Sequence, residues 1–123
     1  MCGIIGIQNN SEAATLAYMG LYAQQHRGQE GAGVVSSDGT ALYRHMGTGL
    51  VSDVFSNAKV FDSLVGNCAI GHVRYSTTGV SDPKNVGPLT FNMGDYSLSI
   101  AHNGNLVNIE KIRKQLQDDG ALF

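Results

Sequence analysis

The chain has 123 residues, a formal net charge of −2 and 15% charged residues, well under the ~25% of an average soluble domain. That length holds one domain or part of one, and the charge leaves no basic field for nucleic acid. No apolar run reaches the ~18 residues of a membrane span, and the start has neither the basic residues nor the apolar core of a signal peptide, so no membrane partner and a cytoplasmic location are expected.

Residues 2–8 read as a strand. Ser11 is placed to cap a helix reaching about Gln25, with Ala14, Ala17, Tyr18 and Leu21 at helical spacing on one face. Residues 32–37 and 40–45 are strand-like and flank Asp38-Gly39, the favoured two-residue hairpin turn. Residues 46–66 are mixed, with a short helix from Ser52. Residues 68–74 and 96–102 read as further strands. Between them, residues 76–95 hold five Ser or Thr, both prolines and three glycines, the composition of a long functional loop. Asn108 caps a helix with Ile109, Ile112 and Leu116 on one face, and Gly120 stops it. Ala121-Leu122-Phe123 reads as the start of another strand, as in a truncated chain. Cys2 and Cys68 make neither a disulfide framework nor a metal-ligand set. Cys68, in an apolar strand, reads as a small core residue.

Cys2 carries the sharpest chemical signal. Once Met1 is removed, a thiol and a free α-amine share one carbon. The amine titrates near 7.7–8.0, so it can act as general base for its own side chain. Three later segments add to this. His26-Arg27-Gly28-Gln29-Glu30-Gly31-Ala32-Gly33 lies at a helix-to-strand turn and, by itself, reads as a glycine-rich connector. Gly71-His72-Val73-Arg74-Tyr75-Ser76-Thr77-Thr78-Gly79 puts an arginine at a strand end, either as a two-pronged carboxylate clamp or as a salt-bridge partner. His102-Asn103-Gly104-Asn105 offers an amide and a backbone N–H that can donate to an oxyanion, or forms an ordinary turn. Together they outline an acyl-transfer site for an α-amino acid amide.

In order and wording these segments, with Met1-Cys2-Gly3-Ile4 and the Gly-Leu-Val-Ser-Asp-Val-Phe run at 49–55, resemble the class II glutamine amidotransferases, which are N-terminal-nucleophile hydrolases. They look closest to the branch that joins a glutaminase to a phosphoribosyltransferase domain in purine synthesis. Hexosamine-phosphate synthases read Arg-Gly-Tyr-Asp in the first cluster, and asparagine synthetases Arg-Gly-Pro-Asp. The resemblance implies an α/β (α+β) fold, an αββα sandwich of antiparallel sheets. It is expected to be incomplete, because residues 1–123 match the first part of the glutaminase domain and the phosphoribosyltransferase domain is absent. It implies glutamine as substrate, Cys2 as nucleophile, Asn103 and Gly104 as the oxyanion hole, and Arg74 with Thr77 on the substrate α-carboxylate. Arg27 and Tyr75 would belong to the site wall and the glutamine loop. Glutamine would be cleaved through a γ-glutamyl thioester. The ammonia would make phosphoribosylamine from phosphoribosyl pyrophosphate in the second domain. No metal or cofactor is expected in this segment, while the whole enzyme would use magnesium and, in some members, an iron–sulfur cluster held elsewhere. A homo-oligomer is expected. Two departures stand out: Asn85-Val86-Gly87-Pro88 replaces an Asn-Ala-Gln-Pro-like segment, and the aspartate that holds the substrate amino group falls beyond Phe123. Two rival readings are another class II amidotransferase and an inactive fragment that folds by association.

Overall fold

The computed structural model describes residues 1–76 and 82–121. Strand β1 (Gly3–Gln8) alternates, with Ile5 and Ile7 turned toward the core and Ile4 left 40% exposed. It pairs antiparallel with β4 (Cys68–Arg74), which pairs antiparallel with β2 (Gly31–Ser37), and β2 with β3 (Leu42–Thr48). The sheet order is β1-β4-β2-β3, so the apolar strand β4 is central. Helix α1 (Ala13–Ala23) lies across β1, β4 and β2. Its stripe of Ala13, Ala17 and Leu21 is fully buried against Ala32, Val34 and Val73. The small residues let the helix sit close to the strands. Two short helices, α2 (Val51–Val54) and α3 (Val60–Ser63), close one end of this core. There Tyr18 packs on Phe55 and Phe61 at centroid distances of 5.5 and 5.3 Å.

On the opposite face of the sheet lies a ribbon of β5 (Leu89–Met93) and β6 (Tyr96–Ile100). A groove of about 490 Å³, lined by Gly6, Val35, Ile70 and Ser99 among others, runs between the two. Helix layer, sheet and ribbon give the expected α/β class with antiparallel sheets. Helix α4 (Ile109–Asp118) follows the ribbon. Gly120 N–H donates to Gln117 O at 3.0 Å and Ala121 N–H to Leu116 O at 2.8 Å, so the helix stops where Gly120 predicts.

Several expectations are corrected. Helix α1 begins at Ala13 and Ser11 does not cap it; the Asn10 side chain accepts from Glu12 N–H at 2.8 Å and takes over the turn. The hairpin is present, but Ser37 pairs with Leu42, giving a four-residue loop in place of the two-residue turn. The cause is the Asp38 carboxylate. It accepts from the N–H groups of Ala41 at 2.9 Å and Thr40 at 2.8 Å, and from the Thr40 and Tyr43 hydroxyls. These bonds, led by that from Ala41, hold its carboxyl far below the usual carboxylate range. Strand β5 occupies residues expected to be loop, and Gly94-Asp95 turns it into β6. Strand β6 ends at Ile100, two residues early. Residues 46–66 hold two short helices in place of one. Cys68 is half-buried at the start of β4 and is no core residue. Residues 77–81, which include Thr77, and the last two residues lie outside the described residues.

Candidate active site

The sheet order decides which ends meet. Gly3 of β1 pairs with Val73, and Gly31 of β2 pairs with Arg74. Cys2, just ahead of β1, therefore lies on one side of the end of β4, and Glu30, just ahead of β2, on the other. The Cys2 Sγ is bracketed by the main chain of Tyr75: Tyr75 N–H donates to it over 3.4 Å, and the thiol can donate to Tyr75 O over 3.6 Å. Arg27, in a short 3₁₀ turn at residues 25–27, donates from Nε to Cys2 O at 3.1 Å and fixes the start of the chain. This turn can press against β4 only because position 28 is glycine. A Cβ at Gly28 would stand 2.6 Å from the carbonyl carbon and oxygen of Arg74.

The Arg74 side chain is mostly covered. Its Nη1 donates to Asn85 O at 2.9 Å, and its Nε lies 3.9 Å from Glu30 Oε2. The second oxygen of Glu30 accepts from Ser76 N–H at 2.9 Å and from the Ser76 hydroxyl at 2.7 Å. Asn103 and Gly104 sit on the exposed stretch that follows β6. They share with Cys2, Arg74 and Tyr75 a cavity of about 430 Å³, whose lining also includes Met1 and His72. Of the residues singled out from sequence, five thus line one cavity: Cys2, Arg74, Tyr75, Asn103 and Gly104. Arg27 touches the site from behind through Cys2 O. Thr77 lies outside the described residues.

Glu30, Ser76, Asn85 and His72 carry parts of this arrangement that the sequence reading assigned to no role. The signal for His72 was present, since it sits two residues before Arg74 on the same face of β4. His72 is 5% exposed, and neither ring nitrogen has a hydrogen-bond partner among the described residues. Burial is the main reason its pKa is lowered, with Arg74 and His102 adding to the effect against the nearby main chains of His102 and Gly87. A Cβ at Gly87 would stand 3.0 Å from His72 Nδ1. The glycine that departs from the family pattern is thus where this ring packs.

Over 122 residues the chain is 47% identical to the amidophosphoribosyltransferase of Lacticaseibacillus casei, covering 99% of this chain and 63% of that protein. It is 52% identical to the chloroplastic amidophosphoribosyltransferase 2 of Arabidopsis thaliana, spanning 22% of it. The chain is homologous to amidophosphoribosyltransferases. Solved structures agree. The allosteric regulatory enzyme of purine biosynthesis superposes with a TM-score of 0.90 at 45% identity, and the B. subtilis glutamine phosphoribosylpyrophosphate amidotransferase complexed with ADP and GMP with 0.87 at 44%. Each match covers the whole of this chain and 26% of the solved one. The chain therefore spans between about a fifth and under two thirds of these amidophosphoribosyltransferases. No protein-family model matches it. No helix among the described residues is long and apolar enough to cross a membrane. Since one relative is chloroplastic, homology does not fix a single compartment.

Proposed function

We propose that this chain is the glutamine-hydrolysing part of an amidophosphoribosyltransferase, with Cys2 as nucleophile. The observation that carries the reading is the Cys2 thiol at the end of β4, beside the Tyr75 N–H and in one cavity with Arg74, Asn103 and Gly104. Removal of Met1 frees the α-amine. That amine takes the thiol proton as Sγ attacks the side-chain amide carbon of glutamine. The carbonyl electrons move onto oxygen, where the Asn103 amide and Gly104 N–H donate. The intermediate collapses, the C–N bond breaks, and the amine returns its proton to the leaving nitrogen. Ammonia departs and a γ-glutamyl thioester remains on Sγ. Water then attacks this carbonyl, releasing glutamate and restoring the thiol. Arg74 holds the α-carboxylate, Arg27 anchors the start of the chain through Cys2 O, and the Tyr75 main chain flanks the thiol.

In the whole enzyme the ammonia would meet phosphoribosyl pyrophosphate on a separate domain. Among the described residues no three His, Cys, Asp or Glu side chains come together as a metal site. No step above runs through the magnesium or iron–sulfur groups implied for the whole enzyme. The two free cysteines suit a reducing compartment such as the cytoplasm.

The test uses 6-diazo-5-oxo-L-norleucine, a glutamine analogue that alkylates a nucleophile placed at the glutamine carboxamide. After the mass of the N-terminus establishes that Met1 is gone, we expect one adduct, on Cys2, with the L isomer and none with the D isomer. No adduct on Cys2, or equal labelling of Cys68, would overturn the reading.

A further inference from the structure

One carboxylate reaches both residues that flank Tyr75. Glu30 Oε1 accepts from the N–H and hydroxyl of Ser76, at 2.9 and 2.7 Å, and Oε2 faces Arg74 Nε at 3.9 Å. The Glu30 N–H also donates to Arg74 O at 3.2 Å. Three successive residues, Arg74 to Ser76, are therefore tied to Glu30 at both ends, and the middle one supplies the main-chain groups around the Cys2 sulfur. The guanidinium faces the Glu30 carboxylate on one side, an ion pair too long at 3.9 Å for a hydrogen bond, and donates to Asn85 O on the other. This leaves its remaining N–H groups for the cavity it lines. A bidentate clamp depends on a fixed fork direction, and a charged partner on Nε sets that direction.

We propose that Glu30 is a positioning residue for substrate binding, acting through Arg74 and Ser76 and touching neither substrate nor thiol. This rests on the glutaminase reading. The two arms are separable. In Glu30→Gln an amide oxygen still accepts from Ser76, so the Tyr75 main chain stays beside Sγ. The amide NH₂ then faces Arg74 Nε, donor against donor, and the charge that aims the guanidinium is gone. Glu30→Asp keeps the charge on a side chain one methylene shorter.

The experiment compares two alkylating agents on the Met1-processed protein. 6-Diazo-5-oxo-L-norleucine carries the α-carboxylate that the clamp would grip; iodoacetamide carries none. In Glu30→Gln we expect the half-saturating concentration of the glutamine analogue to rise about two- to fivefold, the size of one partly exposed ion pair. The iodoacetamide rate on Cys2 should hold. Glu30→Asp should recover part of the loss. An unchanged half-saturation in Glu30→Gln would overturn the proposal, as would equal slowing of both reagents, which marks a general disturbance of the fold. Absence of labelling by the glutamine analogue in the unsubstituted protein would instead overturn the glutaminase reading beneath it.

Discussion

The contact between Gly28 and the end of β4 provides a sharp test of how the site is assembled. An alanine Cβ at position 28 would lie 2.6 Å from both Arg74 C and Arg74 O, and 2.9 Å from Val73 C. All three are backbone atoms, so no side-chain rotation relieves the clash. Gly28 has φ −168°, an extended conformation open to any residue, so the cost is steric and not conformational. To regain ordinary contact the 25–28 turn and β4 must part by about 0.8 Å. The bond from Arg27 to Cys2 O, at 3.1 Å, ties this turn to the residue that opens β1 beside β4 and would lengthen, loosening the start of the chain that carries the thiol. Overpacking of this kind costs about 1–3 kcal/mol. We expect Gly28→Ala to lower the urea midpoint accordingly and to slow labelling of Cys2 by 6-diazo-5-oxo-L-norleucine. Gly6→Ala in β1 is the control, because a Cβ there meets nothing within 4 Å and should leave stability within about 0.5 kcal/mol. A Gly28→Ala protein with the midpoint and labelling rate of the parent would refute the idea that this close approach builds the site.

Three further outcomes are expected. Arg74→Lys keeps the charge and loses the fork, so half-saturation by the glutamine analogue should rise about 10–150-fold, the equivalent of one charged hydrogen bond at roughly 1.5–3 kcal/mol; titration of the variant checks this, and unchanged binding would leave Arg74 as a structural partner of Glu30. Asn103→Ala should lower glutamate release by about 10²–10³ with little change in glutamine affinity, because its amide meets charge that develops only in the transition state; initial-rate kinetics separate the two effects. His72 is buried neutral with a lowered pKa, so the unfolded chain takes up its proton first as pH falls. Its contribution to stability is complete above the ordinary histidine value of about 6.5 and is lost as pH drops toward the folded one. Urea midpoints at pH 7.5 and 5.5 should fall less in His72→Gln than in the parent.

The local character of most elements was legible in the residues themselves. The alternation of β1, the alanine stripe of α1, the apolar run of β4 and the Gly120 stop of α4 are all local patterns; Asn108 stands at the start of α4 as expected, but its side chain makes no cap bond. Where local signals competed, the sequence was ambiguous. The Asp38 side chain outbid the two-residue turn by accepting from the Thr40 and Ala41 amides, and the Asn10 side chain displaced Ser11 at the start of α1. Strand β5 was hidden in a segment rich in Ser, Thr, Pro and Gly, although Gly94-Asp95 is itself a hairpin signal. For the site, residue types were readable but their meeting was not. Cys2 and Tyr75 are 73 positions apart, and Glu30 and Ser76 are 46 apart. Only the pairing of β4 with β1 on one side and β2 on the other brings them to one strand end. That pairing is a choice among distant partners, fixed by which faces can be buried together under α1. The same choice gave Glu30 its two partners and left His72 buried beneath Gly87, roles that no local pattern in the chain encodes.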